Sequence, residues 1–232
     1  MKLISSMTIR PNMKLADLID LNHNLLSVLS RLGVSLGFGE HTIQQACEIS
    51  GVNVSSFILI CNVYNNDEYA PSSTLLEQAD VRDILKYLHN SHIDYMHVSL
   101  KELELLMGDM LQNYNASQKS IVEKFLVGYK EEVRNHFNYE ETVLFPYVKA
   151  LIDKKETNGY SIDTFEKNHG NIEEKLCDLK NIVMKYLPQT CDQNLRYDVL
   201  HQIYHLENDL RKHTLIEDNV LAPLVSRMEG GL

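Results

Sequence analysis

No run of apolar residues comes near the roughly 20 that a membrane-spanning helix needs; the longest candidate is "FILIC", residues 57 to 61. No role within a membrane is expected. The first residues, "MKLISSMTIRPNMK", lack the apolar core and small-residue cleavage site of a secretory signal, so a cytoplasmic chain is expected. Cysteine is scarce: Cys47, Cys61, Cys177 and Cys191 stand far apart and form no C-x-x-C pair. That argues against a disulfide framework and a zinc ribbon, and leaves buried or idle thiols. Basic residues are outnumbered, 22 Lys and Arg against 32 Asp and Glu, for a formal charge of -10. Such a balance repels nucleic acid phosphates and anionic membrane surfaces, and makes cations the expected inorganic company. The chain also lacks the H-E-x-x-H of a zincin and a P-loop.

What is present is helical periodicity. With 232 residues, 44% of them apolar, the chain can bury a real core. Short apolar runs fill the first 64 residues: "LADLIDL", "NLLSVLSRLGV", "TIQQACEISGV" and "VSSFILICNVY", broken by the Gly-rich "GVSLGFGE". They predict a small helical N-terminal domain over 1–70. The polar "NNDEYAPSS", 65–73, reads as a linker. Four long amphipathic segments follow near 80–112, 117–152, 161–187 and 192–228, separated by "QNYNAS", "KKETNGYS" and "PQTCDQ". The fold class is therefore all-α, with an up-down-up-down four-helix bundle over 74–232 behind the small domain.

One phrase is written twice. "HFNYEETVLFP", 136–146, returns as "HTLIEDNVLAP", 213–223, with a His, a Glu four later, an acid five later, then Val, Leu and Pro at matching offsets. His136 with Glu140, and His213 with Glu217, each project from one face of a helix. A single His-x-x-x-Glu is commonly a solvated pair, but these lie on apolar stripes. His136 runs with Val133, Val143 and Leu144, and His213 with Leu206, Leu210, Ile216 and Val220. Inside a bundle a carboxylate stays charged only when paired or bound to a metal. A third instance is His169 with Glu173, beside Phe165, Ile172 and Leu176. The first long segment offers His89, His92 and His97; His92 continues the stripe of Val81, Leu85 and Leu88, whereas His89 leans to the polar edge beside Lys86.

Four imidazoles and up to three carboxylates exceed the needs of one tetrahedral zinc. They suit two near-octahedral ions held by nitrogen and oxygen, which iron accepts. A ferritin-like site needs Glu-x-x-His from two helices, and only Glu166 with His169 fits that spacing. Residues 80 to 228 resemble the hemerythrin-like (HHE cation-binding) domain family. That resemblance implies four helices around a non-haem di-iron centre of two iron ions. Carried over, the ligands are His92, His136, Glu140, His169, His213 and Glu217. Where hemerythrin proper has a second His on the third helix, this chain has Glu173, a possible extra or substituted ligand that argues against oxygen carriage. Glu141 and Asp218, one residue past Glu140 and Glu217, compete for direct or supporting roles.

The layout of a small helical domain before the bundle resembles the RIC family, which repairs iron-sulfur centres after nitrosative or oxidative damage. Those proteins carry a Cys-Cys pair where this chain has Leu36-Gly37, so no thiol chemistry is expected there. The resemblance implies one of two functions. Either the iron centre is chemically active, with damaged iron-sulfur proteins or nitric oxide as partners, or the bundle binds or senses a small gas, O2 or NO, without turnover. A structural bundle with core histidines is the third reading.

Overall fold

The structure is a computed structural model that describes residues 8–157, 159–168, 170, 172–188 and 192–230. It is all-α, with no strand among the described residues. An isolated antiparallel bridge pairs Lys14 with Thr42. The helices are α1 (Leu15–Leu21), α2 (Leu25–Leu32), α3 (Ile43–Ser50), α4 (Val54–Asn65), α5 (Ser73–Gln78), α6 (Val81–Asp94), α7 (Leu100–Met110), α8 (Ala116–Tyr139), α9 (Phe145–Ile152), α10 (Ile162–Asn168), α11 (Glu174–Asn181), α12 (Gln193–Ile216) and α13 (Ala222–Gly230). Caps explain several boundaries. Thr42 with Gln45 and Asn115 with Gln118 form capping boxes that satisfy first-turn N–H groups of α3 and α8. Gly33 and Gly51 stop α2 and α3 in the left-handed conformation, which a residue without Cβ adopts freely.

The long helices are interrupted without ending. Single π turns join α6 to α7 at Tyr95–Ser99, α8 to α9 at Glu140–Leu144 and α12 to α13 at Glu217–Leu221. In the last two the turn begins on a Glu of the repeated phrase: the Phe145 and Ala222 N–H groups donate to the Glu140 and Glu217 carbonyls. Pro146 and Pro223 follow one residue later. Proline has no N–H for the helical ladder and crowds the carbonyl four residues before it. A wide turn ahead of it lets the helix restart. The third long segment differs from its expected single helix, since Gly170 and the turn at 172–173 separate α10 from α11.

Contacts gather the chain into two compact units. In one, His92–Pro146 with His169–Arg211, side chains from α7, α8, α11 and α12 share a single core: Leu103 and Met107, Leu126 and Val133, Leu176 and Leu179, Ile203 and Leu206 are all buried. In the other, Met1–Ser91, Tyr147–Asn168 and Lys212–Leu232 pack together. Its α4 is buried along every residue from Ser56 to Tyr64, as a helix apolar on all sides must be. Arg31 is buried on α2 and donates to the hydroxyls of Tyr64 (3.1 Å) and Tyr87 (3.2 Å), which lie 2.7 Å apart. Lys86 Nζ and Asn90 Nδ2 donate to the carbonyls of Leu32 and Arg31 at the end of α2. Lys212, also buried, donates to the Val63 carbonyl at 2.8 Å and pairs with Asp67, placing a cation at the C-terminal end of α4. No helix among the described residues is long and apolar enough to cross a membrane.

Burial also decides the thiols. It pushes the Cys47 thiol up to about 12 and Cys61 well above its ordinary value, whereas Cys177 is exposed; Cys191 lies outside the described residues. Only the thiolate is nucleophilic, so iodoacetamide at about pH 8 should alkylate Cys177 in the folded chain and spare Cys47 and Cys61 until denaturant is added. Peptide mapping by mass spectrometry reads this directly. Labelling of Cys47 at the rate of Cys177 would show that the N-terminal helices open under native conditions.

Candidate metal centre

Three segments build one histidine environment. His92 is buried near the end of α6, while His89 and His97 are exposed. Its ring stacks on Phe137 from α8, with centroids 4.2 Å apart and planes at 16°, and on Phe145 from α9, at 5.5 Å and 6°. Nε2 lies 3.0 Å from Glu140 Oε2, and Nδ1 lies 2.7 Å from Glu141 Oε1. His136, one turn before Glu140, brings its own Nε2 within 2.8 Å of Glu140 Oε1. On α12 and the π turn after it, His213 and Glu217 repeat that relation, Nε2 to Oε1 at 3.4 Å. The helical i,i+4 spacing sets both His–Glu pairs.

Ligand atoms of His92, Glu140, His213 and Glu217 all lie within 4.8 Å of one another. Glu140, His213 and Glu217 are 0% exposed and His92 is 5% exposed. Two carboxylates removed from water this close together repel, and their shared burial favours a proton or a cation among them. The donors are imidazole nitrogens and carboxylate oxygens, and no cysteine among the described residues joins them. That set fits a hard or borderline divalent or trivalent cation and disfavours a soft one. The His–Glu separations also match the roughly 3 Å expected between neighbouring ligands that each bind one ion at about 2.1 Å.

The other expected residues fare differently. His136 contacts Glu140 but stands outside the group of four. Glu173 sits half-buried in the turn before α11, also outside that group. Burial first, then the Glu173 carboxylate, pushes the buried Tyr129 hydroxyl far above its ordinary value. His169 lies outside the described residues. Asp218 is exposed, whereas Glu141 reaches an imidazole. Sequence reasoning left the role of Glu141 open and did not single out Phe137 or Phe145. No local signal singles them out, because their contacts with His92 join segments far apart along the chain.

The family profile of the hemerythrin HHE cation binding domain matches residues 80–225, which is more than half of the chain. The chain belongs to the hemerythrin HHE family. Among curated relatives of this hemerythrin-family chain are proteins named iron-sulfur cluster repair protein YtfE from Salmonella paratyphi B, Salmonella newport and Salmonella heidelberg. Each is 24% identical over 144 residues, covering 61% of this chain and 64% of the relative. The matched region thus spans somewhat under two thirds of those relatives' length. No solved structure matches the chain significantly.

The paired phrase predicts how stability couples to metal. A cation bound only by the folded state stabilises it, by about 2.7 kcal/mol when free metal is 100 times its dissociation constant. Glu217→Gln keeps size but removes an anionic donor, so ferrous iron under argon should raise the melting temperature of the wild type and barely move that of the variant. Glu131→Gln, on the exposed side of α8, should keep the full metal-induced shift and change baseline stability by no more than about 0.5 kcal/mol. Equal metal-induced shifts in wild type and Glu217→Gln would remove Glu217 from the site.

Proposed function

We propose that the chain holds a non-haem di-iron centre and acts in iron-sulfur cluster repair under nitric oxide or oxidative stress. The observation that carries the reading is the buried group of two imidazoles and two carboxylates. Membership of a cation-binding family and likeness to the Salmonella iron-sulfur cluster repair proteins support it. The residues that would hold the iron are His92, His136, Glu140, His169, Glu173, His213 and Glu217. When bound, iron supplies Lewis acidity and one-electron exchange between ferrous and ferric states. The chain's own residues do the rest. Glu140 and Glu217 balance the cationic charge, the imidazoles fix ligand direction, and Phe137 with Phe145 keep water from the faces of His92. Damaged iron-sulfur proteins are the proposed partners, and the cytoplasm the proposed location. Residues 1–70 are proposed as a separate helical module on the bundle of 74–232.

One observation favours a second reading, in which the centre senses O2 or NO. Buried Lys212 grips the end of α4 and is the immediate neighbour of His213. A shift of His213 on gas binding would therefore pull on the N-terminal helices.

Anaerobic purification without chelators, elemental analysis and an optical spectrum in air test the proposal. The expected result is about two irons per chain with oxo-bridge charge-transfer bands. Turnover of nitric oxide to nitrous oxide, or restored activity of a damaged iron-sulfur enzyme on addition of the ferrous protein, supports repair. Reversible gas binding without either supports sensing. A chain that takes up no iron from ferrous salt under argon overturns both.

A further inference from the structure

We infer that Glu141 is the positioning residue that sets the orientation and proton of His92, so that Nε2 and not Nδ1 faces the cation site; the inference rests on the metal-binding reading above. His92 is constrained in two distinct ways. Phe137 and Phe145 lie nearly parallel to its ring, at 16° and 6°, and fix the plane of the imidazole. A stack alone does not distinguish a ring from the same ring rotated by half a turn, because both share one plane. The edge contacts make the distinction. Nδ1 meets Glu141 Oε1 at 2.7 Å, the short distance of a charge-assisted hydrogen bond, while Nε2 meets Glu140 Oε2 at 3.0 Å.

The two carboxylates are neighbours in sequence yet serve opposite edges of one imidazole. Glu140 is wholly buried and belongs to the group of four, whereas the Glu141 side chain is 30% exposed and does not. Burial thus separates a carboxylate that faces the cation site from one that reaches it only through His92. Successive residues of an α-helix point about 100° apart, and here the π turn begins at Glu140. An Nδ1–H donated to Glu141 leaves the Nε2 lone pair for a cation and makes it more basic. Supporting carboxylates of this kind commonly matter 10- to 100-fold in metal affinity.

Zinc is the test probe because it is diamagnetic and accepts the same donors. Its affinity is measured by chelator competition for wild type, Glu141→Ala, Glu141→Gln and Glu131→Ala, and the His92 ring nitrogens are read by long-range 1H–15N spectra of the zinc-loaded chains. In the wild type, zinc should sit on Nε2, with an Nδ1 proton that exchanges slowly with water. Glu141→Ala should bind zinc about 10- to 100-fold more weakly, with a rapidly exchanging Nδ1 proton. Glu141→Gln, whose amide oxygen still accepts, should recover most of the affinity, and Glu131→Ala should match the wild type. Glu141→Ala within about threefold of the wild type, with its Nδ1 proton still protected, overturns the inference. So does a Gln variant as weak as the Ala variant, which would make Glu141 a direct ligand. Failure of the wild type to bind zinc or iron overturns the metal reading beneath it, which separates the two failures.

Discussion

Glu140 and Glu217 carry their carboxylates to zero exposure within a few ångströms of each other and of two imidazoles. Taking one such group out of water is costly, and taking two together costs more unless positive charge joins them. A cation of the type this family binds is the economical solution. Much of the surrounding architecture can be read as what keeps those two carboxylates dry and correctly aimed.

The π turns are part of that aim. Each of the two repeated phrases places a His one turn ahead of a Glu, starts a wide turn on that Glu and ends on a proline just inside the next helix. Wide turns of this type are frequent at functional sites because they re-aim side chains within an otherwise continuous helix. The proline gives a local reason for the wide turn, and the repetition shows one solution used twice. The N-terminal helices add a different kind of support. Arg31, Lys86, Asn90 and Lys212 bind them through buried or half-buried hydrogen bonds to α6 and the end of α12, close in sequence to His92 and His213. Burial holds the Cys47 and Cys61 thiols of those helices above their ordinary range.

The helical class was legible from the residues alone, because apolar periodicity is a local property of each segment. So were the two His–Glu pairs, since residues four apart on a helix share a face whatever packs against them. The choice of His92 over His89 followed from the same periodicity, and the structure places His92 inside and His89 outside. The break between α10 and α11 was less legible: "NHGNIEE" can continue a helical pattern, and its Gly permits an interruption without requiring one.

Which side chains converge depends on packing between segments. Nothing local in the sequence distinguishes Glu141 from any other acid beside a buried Glu; its contact with His92 joins residues 49 apart. The Phe137 and Phe145 stack, the approach of Glu140 to Glu217, and the grip of Lys212 on α4 likewise depend on which helices meet and at what height. Periodicity tells which face of a helix is buried. It does not tell which partner that face meets, because many pairings bury the same stripe equally well, and a cluster of charges is specified only when one of those pairings is chosen.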